Sequence, residues 1–240
     1  MRCAATLIMA KTTKVFWLLL CLLPSWAWAT TCRDLNFENS SFTVCTVDPS
    51  AERLRLFLYR QDGLPVGTFK NVDNELARNG EQLKLSFAMN AGMYSQQLTP
   101  LITSAGPGNF GLLPNGVLCL TDKSARVIES HRFAQTHPRC TFATQSGPML
   151  VIDNALHPRF LPNSNSRYVR NGVGVSSDHM VHFAISNSPV NFHVFARLFR
   201  DILNTPQALY LDGNISRLHA PALDRSDPGF PMGPIIGVVK

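Results

Sequence analysis

The sequence predicts an α+β fold: a mixed, mainly antiparallel β-sheet core with two or three helices, in a single domain. Many short stretches alternate between apolar and polar residues, only two stretches have helical periodicity, and no regular βαβ alternation is present. The chain has 240 residues, of which 45% are hydrophobic and 16% are charged. This composition excludes a disordered protein, because it holds too much apolar material and too little charge.

Strands are predicted where side chains alternate or where short apolar runs lie between turn residues. They cover residues 42–47, 54–58, 83–89, 173–176, 180–185, 208–211 and 235–239, with several more short strands between 109 and 152. The strands 173–176 and 180–185 should form a hairpin. The proline-rich segment 220–234 is predicted to be a surface loop, a common place for functional residues.

Two helices have clear signals. Residues 71–79 are predicted to be helical and to end at Gly80, a typical glycine after a helix C-terminus. A second helix follows Ser188-Pro189 and ends before Pro206, because apolar residues recur there at steps of three and four. These residues are Phe192, Phe195, Leu198, Phe199, Ile202 and Leu203.

Residues 1–29 are predicted to be a signal peptide that is removed, which leaves 30–240 as the mature domain. A basic start precedes the nine-residue apolar run 15–23, Pro24 breaks this run, and Ala27-Trp28-Ala29 suits a cleavage site. The alternatives are an uncleaved anchor and a lipoprotein at Cys21. The run is shorter than the roughly 20 residues that span a bilayer, and Leu20 precedes Cys21 where a small residue is expected. We therefore expect an exported protein, periplasmic or secreted.

Charge argues against a nucleic-acid partner. The formal charge is +6 for the whole chain. Removing the leader, with three basic residues and no acidic ones, lowers the charge to +3. No run of Lys and Arg remains, and the mature chain contains no apolar run long enough to cross a membrane.

Four cysteines remain after the leader is removed. An even number in an exported chain favours disulfides over free buried thiols. We predict the pairs Cys32–Cys45 and Cys119–Cys140, because each closes a short loop between neighbouring segments. A zinc site fits poorly because there is no CxxC spacing, and no metal or cofactor is predicted.

Two common functional motifs are matched only incompletely by the sequence. Residues 106–111 match G-x-G-x-x-G by letter, but Pro107 and the strand-like residues that follow favour a turn over a Rossmann helix. Ser146 lacks the first glycine of G-x-S-x-G, and no patterned His partner supports a serine hydrolase.

Four stretches place hydrogen-bonding side chains beside glycines, where a backbone can approach a ligand closely. A tight turn with a polar cap is the simpler explanation for one such stretch, whereas four together indicate a binding site. The stretches are NAGMY at 90–94, TQSGPM at 144–149, RNGVG at 170–174 and YLDGN at 210–214.

These stretches resemble the phosphodiester glycosidase family of the uncovering-enzyme type, in particular its bacterial exported branch, formerly a domain of unknown function. The likeness runs from about Cys45 to Val239. Its most specific segments are FAMNAGMY, GNFGLLPNGV, ATQSGPMLVID, LHPRF, SRYVRNGVGV, FARLFRD and ALYLDGNIS. Two features depart from the family pattern: residues 102–107 replace a longer segment, and His219 stands where an aromatic residue is expected. A shorter segment would leave the site more open or alter its specificity.

The resemblance implies hydrolysis of a sugar-1-phosphodiester on a glycan or glycolipid. A phosphate leaving group has a second pKa near about 6, so it departs as a stable anion with little help from an acid. One carboxylate and a set of anion-binding donors would therefore suffice, unlike the two carboxylates of ordinary glycosidases. The alternative is a non-catalytic protein that binds a phosphorylated glycan.

Asp212 is assigned as the general base or nucleophile, and Arg170 as the phosphate ligand, because a planar guanidinium matches two phosphate oxygens. Arg167 is a second phosphate candidate or a solvated surface residue. His157 is a candidate acid or a structural residue. The other expected substrate-binding residues supply polar groups or close backbone approach: Asn90, Gln145, Ser146, Gly147, Gly213 and Asn214.

Overall fold

Antiparallel strands are the main secondary structure of the protein. The structure is a computed structural model that describes residues 30–92, 115–212 and 215–240. In chain order the strands are β1 (Thr31–Phe37), β2 (Ser40–Val47), β3 (Arg53–Phe57), β4 (Leu85–Asn90), β5 (Gly116–Leu120), β6 (Ala125–Glu129), β7 (Phe142–Ser146), β8 (Met149–Ile152), β9 (Ala155–Leu156), β10 (Asn171–Val175), β11 (Val181–Ser186), β12 (Gln207–Asp212), β13 (Leu218–Ala220), β14 (Arg225–Ser226) and β15 (Ile235–Val239).

These strands form three sheets. A seven-stranded sheet has the order β1-β2-β11-β10-β12-β8-β9, a five-stranded sheet has the order β14-β13-β4-β15-β3, and β6-β5-β7 form a third. Every strand pairing within the described ranges is antiparallel. The predicted α+β class is confirmed, and the predicted hairpin corresponds to β10 and β11.

Three short helices cover the sheets. They are α1 (Phe69–Arg78), α2 (Ser130–Thr136) and α3 (Phe192–Arg197), and a π-helical turn, Leu198–Ile202, extends α3. Helix α1 begins two residues before its predicted start because the Thr68 side chain accepts a hydrogen bond from the Asn71 amide. The predicted loop 220–234 is wrong in its first half, where a 3₁₀ turn, Pro221–Leu223, and β14 follow β13.

The main core lies between the seven-stranded sheet and the other two sheets. Its members include Phe87 of β4 and Phe183 of β11, whose ring centroids are 4.9 Å apart. A second core fills the space between the seven-stranded sheet and α3, and a third lies under α1. Burying apolar side chains on both faces of the sheets fixes the strand ends, and the candidate site is built from those ends.

Both predicted disulfides are present. Cys32 and Cys45 are directly paired residues on β1 and β2. The second bond joins Cys119 of β5 to Cys140, which precedes β7. Two disulfides fit an exported protein, since such bonds persist in oxidising compartments. In the described part of the chain, no helix has the length and apolar character needed to span a membrane.

Candidate functional site

The polar stretches predicted from the sequence lie at strand ends where the three sheets meet. Asn90 is the last residue of β4, Ser146 is the last of β7, and Asp212 is the last of β12. Because β10 and β12 are antiparallel, the first residue of β10 lies beside the last of β12, and Asn171 pairs with Asp212. The ends of all three sheets therefore converge on Asp212.

Asn171 connects the seven-stranded and five-stranded sheets. Its fully buried side-chain amide donates to the Asn90 carbonyl at 2.9 Å and to Asn90 Oδ1 at 3.1 Å. Its Oδ1 accepts from the Asp212 amide at 3.0 Å. This one side chain uses both its donor and its acceptor groups, so it fixes Asp212 relative to Asn90.

The segment after β12 is held against the same strand ends. Asn90 Oδ1 accepts a hydrogen bond from the Arg217 amide at 2.8 Å. Ser216 Oγ donates to the Asp212 carbonyl at 2.8 Å, and Ser146 Oγ donates to the Leu211 carbonyl at 2.9 Å. The backbone on both sides of Asp212 is thus anchored by side chains from β4 and β7.

A cleft of about 190 Å³ opens at this junction. Asn90 and Asp212 supply its polar side chains, and Asp212 is partly exposed there. The Asp212 carboxylate also accepts a hydrogen bond from the Ile215 amide at 3.3 Å, as a turn-capping aspartate does. The remaining lining residues are apolar or glycine: Pro65, Gly92, Ile215, Pro231, Met232, Gly233 and Pro234.

Two of the predicted substrate ligands have other partners. Gln145 donates from Nε2 to Ser130 Oγ at 2.8 Å, on the first residue of α2. Gly147 is close to Asn115: a Cβ at this position would lie 1.8 Å from Asn115 Oδ1. The space that glycine leaves at 147 is therefore filled by the Asn115 side chain. Neither residue lines the cleft.

Arg170 is enclosed instead of facing the cleft. It precedes Asn171, and successive residues of a strand point to opposite faces. Its guanidinium donates to the Val190 carbonyl at 2.9 Å and to the Ser166 carbonyl at 3.0 Å, and it stacks 3.6 Å from the Phe192 ring centroid. Only 1% of Arg170 is exposed. Phosphate binding by Arg170 stays a prediction, and this placement gives it a structural role.

Tyr210 of β12 contacts Arg170. Its hydroxyl is hydrogen-bonded to the Arg170 side chain. A register shift between Asn171 and Gly172 interrupts the alternation between positions 210 and 212 of β12. Burial raises the pKa of Tyr210 to about 12; Arg170 opposes this shift and the Asp212 charge adds to it. Burial also lowers the pKa of Arg170 from its usual value. Tyr210 is therefore neutral and bonded to the buried cation.

The other predicted residues are not gathered at the cleft. Arg167 is exposed on the loop before β10. His157 is buried beside Phe160, with ring centroids 4.8 Å apart, and burial lowers its pKa. Gly213, Asn214 and the short segment 102–107 lie outside the described residues.

Two residues of this region were missed by the sequence prediction. Asn171 belongs to the RNGVG stretch, but the neighbouring arginine was chosen instead. Arg217 is only 7% exposed, and a Cβ on Gly229 would lie 2.5 Å from its Nη2. Arg225 binds the carboxylate of Asp227 through 2.9 Å bonds from Nε and Nη2. Burial lowers the pKa of Arg217, and the nearby charge of Asp227 opposes this shift. No sequence pattern marked Arg217.

Across residues 30–92, 115–212 and 215–240, no cluster of three or more His, Cys, Asp or Glu side chains is arranged to hold a metal ion.

Comparison with known proteins gives both a family and a fold. Residues 67–224 match the phosphodiester glycosidase family model. The chain is 32% identical over 219 residues to the uncharacterized protein YigE of Escherichia coli K12, covering 86% of this chain and 85% of YigE.

Solved structures share the fold at low sequence identity. The catalytic domain of zebrafish N-acetylglucosamine-1-phosphodiester alpha-N-acetylglucosaminidase, auto-inhibited by its pro-peptide, aligns with a TM-score of 0.60 and 11% identity, over 88% of this chain and 82% of that chain. A hypothetical protein from Synechocystis aligns with a TM-score of 0.51 and 14% identity, over 88% of this chain and 61% of that one. The family match covers well over half of the sequence, and this chain therefore belongs to the phosphodiester glycosidase family.

Proposed function

We propose that this protein is an exported hydrolase that cleaves the bond between the anomeric carbon of a sugar and a phosphodiester oxygen, on a glycan or glycolipid. The observation that carries the proposal is the position of Asp212. This carboxylate ends β12, lines the cleft with Asn90, and is fixed through its backbone by the buried Asn171. A rigidly placed carboxylate in a family of phosphodiester glycosidases supports a catalytic role.

Asp212 would act on the sugar as general base or nucleophile. As a base it takes a proton from the water that attacks the anomeric carbon, while the bond electrons leave with the phosphate oxygen. As a nucleophile it forms a glycosyl ester that water then hydrolyses. The phosphate monoester leaves without needing a proton, because its second pKa is near about 6. Asn90 would orient a sugar hydroxyl or a phosphate oxygen.

The phosphate group needs a cation. Arg170 was the first candidate, but its guanidinium is enclosed by Phe192 and two backbone carbonyls. Arg217 is also buried and is not a lining residue of the cleft, but its backbone amide donates to the cleft-lining Asn90, and its guanidinium lies against Gly229, two residues before the cleft-lining Pro231. We assign Arg217 as the phosphate-binding cation and Arg170 as a structural residue.

Export is part of the proposal. The leader-like residues 1–29 and the two disulfides support it. Mass spectrometry of protein from the exported fraction should find Thr30 at the N-terminus and no alkylatable thiol. A chain that retains Arg2 to Ala29, or four reactive thiols in the folded protein, would contradict it.

Activity is tested with purified mature protein and phosphodiesters of four sugar 1-phosphates: glucose, galactose, mannose and N-acetylglucosamine. The zebrafish relative's name motivates the last of these. Release of free sugar and of a phosphate monoester is measured with and without a chelator. Turnover of at least one diester that is abolished in Asp212→Asn supports the proposal, and absence of turnover for all four argues against it.

A non-catalytic binding protein is the second candidate. The hydrogen bond from the Ile215 amide to the Asp212 carboxylate favours it, because a carboxylate that only caps a turn would be placed in the same way. Calorimetric binding of the diesters without hydrolysis, with equal affinity in the wild type and Asp212→Asn, would support this candidate instead.

A further inference from the structure

We propose that the substrate of this site carries a hydrocarbon chain on its phosphate, so that the aglycone is a lipid alcohol and not a second sugar. The inference rests on the proposed function and specifies its substrate class. It is drawn from the walls and the mouth of the cleft, which differ in chemistry from the polar end formed by Asn90 and Asp212.

Among the described residues, the walls of the cleft offer no polar side chain beyond Asn90 and Asp212. Pro65, Pro231 and Pro234 have no backbone N–H to donate, and Met232 and Ile215 add apolar side chains. The hydroxyl groups of a sugar aglycone would find no side-chain partner on these walls, only backbone groups, which is unfavourable. A hydrocarbon chain has no hydrogen bonds to water that it would lose on binding to these walls.

Exposed apolar side chains, here called the apolar mouth, neighbour wall residues of the same cleft along the chain. Leu64 is 54% exposed beside the wall residue Pro65, and Phe230 is 82% exposed beside the wall residue Pro231. Tyr59, which is 48% exposed, bridges to Pro65. These three belong to the seven large apolar side chains found exposed among the described residues. Single exposed apolar residues are common, but three on the two loops that also supply cleft walls indicate a binding surface.

The two loops that carry these side chains are joined. The Met232 amide donates to the Gly67 carbonyl at 2.8 Å, and the Val66 amide donates to the Leu58 carbonyl at 2.7 Å. The apolar mouth is therefore held in place in the unliganded protein. Its shape does not depend on a ligand to order it, which lowers the entropic cost of binding.

The size of the cleft indicates which part of the substrate it encloses. A volume of about 190 Å³ is below the roughly 300–1,000 Å³ typical of pockets that enclose a drug-sized ligand. The cleft holds the reacting sugar and phosphate, and the rest of the molecule lies across the mouth. Hydrolysis adds water across the anomeric C–O bond. It releases the free sugar and a lipid phosphate monoester, and needs no other reactant.

The test compares methyl and n-octyl diesters of the four sugar 1-phosphates, below the micelle concentration of the octyl compounds. Full burial of one methylene changes affinity about fourfold at most, so partial burial of seven methylenes should raise kcat/KM at least about tenfold. Phe230→Ser and, on the other loop, Leu64→Ser should each reduce the octyl-to-methyl ratio severalfold. Ile202→Ser is the matched control, because Ile202 is also exposed but precedes the opposite end of β12.

The outcomes separate this inference from the proposed function. Turnover of both esters at equal kcat/KM, or a ratio that Phe230→Ser and Leu64→Ser do not change, overturns the lipid aglycone and leaves the hydrolase intact. If neither ester is hydrolysed, the proposed function fails, and calorimetry with the same esters decides the inference. Tighter octyl binding that weakens in Phe230→Ser supports it, and equal binding overturns it.

Discussion

The side chain of Asn171 accepts a hydrogen bond from the backbone amide of Asp212 at 3.0 Å. The NH₂ group of the same Asn171 side chain donates to the Asn90 carbonyl at 2.9 Å. Asn171 is fully buried, so water cannot replace either bond. The position of the cleft carboxylate therefore depends on a residue that does not line the cleft.

Asn171→Asp should destabilise the protein and impair the site. An oxygen would replace the donor that faces two Asn90 oxygens, and an unpaired buried charge costs about 3 kcal/mol or more. For a domain of this size that lowers the melting temperature by about 6–12 °C. The deficit should shrink at lower pH, where a protonated carboxyl group can again donate. Asn163→Asp, on an exposed loop, is the control and should melt like the wild type. Equal melting of both variants would refute the bridging role.

Arg170→Lys separates a structural arginine from a phosphate ligand. Lysine keeps the charge but loses the planar group that bonds two carbonyls and stacks on Phe192. We expect a loss of about 2 kcal/mol or more, measured as a decrease of about 4–8 °C in melting temperature. Arg167→Lys, three residues earlier and exposed, should melt like the wild type. An unchanged melting temperature with a large loss of kcat/KM would restore Arg170 to the phosphate site.

Strand alternation explains why the sequence prediction singled out Arg170 and not its neighbour Asn171. Asp212 and the glycine-flanked stretches could be identified from local chemistry. Which side chain of β10 faces Asn90 depends on sheet register, which one sequence does not fix. Arg217 was missed for a related reason: it lies 127 positions from Asn90 in the chain, and only folding brings its amide to the Asn90 side chain.

Secondary structure was predictable where amphipathic patterns were strong. The hairpin of β10 and β11 and the helix after Ser188-Pro189 had such patterns. Helix α2 was missed because it has only seven residues and its N-cap is Glu129, outside the usual capping residues. Strand β1 was missed because it lies at a sheet edge and none of its residues is buried, which removes the alternation.

Arg217→Gln should lower kcat/KM for a sugar phosphodiester by about 10- to 100-fold. A hydrogen bond to a charged group contributes about 1.5–3 kcal/mol, and glutamine removes the charge. Arg217→Lys should recover part of the loss, because it restores the charge without the planar fork. Arg53→Gln, at an exposed position of β3, is the matched control. Steady-state kinetics like those of the wild type for Arg217→Gln would remove Arg217 from the phosphate site.

Stability should fall as the pH decreases from about 7 to 5. The pKa of His182 is lowered, mainly by burial. The charge of Asp178 opposes this shift, and the charge of Arg33 adds to it. The folded state therefore binds fewer protons than the unfolded chain, whose histidines titrate near about 6.5. Stability is fully present above that pH and is lost as the pH falls toward the folded pKa. Burial lowers the pKa of His157 and His219 in the same direction.

His182→Gln should reduce this pH dependence. Glutamine does not titrate, and it can replace the contacts of His182 with Thr46 Oγ1 at 3.0 Å and Ser176 Oγ at 3.1 Å. Melting temperatures are measured from pH 7.5 to 5 for the wild type and the variant. A smaller decrease in the variant supports the assignment, whereas parallel curves would show that His182 contributes nothing to the pH dependence.

Asp212→Asn tests the catalytic assignment most directly. Asparagine keeps the size of the side chain and an oxygen that can accept the Ile215 amide, now 3.3 Å from Oδ1, so the variant should fold with nearly unchanged melting temperature. The backbone amide at 212 still donates to Asn171. The charge needed by a base or nucleophile is lost, and such groups contribute about 10²–10⁴ in rate. We therefore expect turnover at least about a hundredfold slower, with phosphodiester binding retained. Because the turn is preserved in the variant, a purely structural Asp212 predicts no change in kcat. Turnover within about twofold of the wild type would end its catalytic assignment.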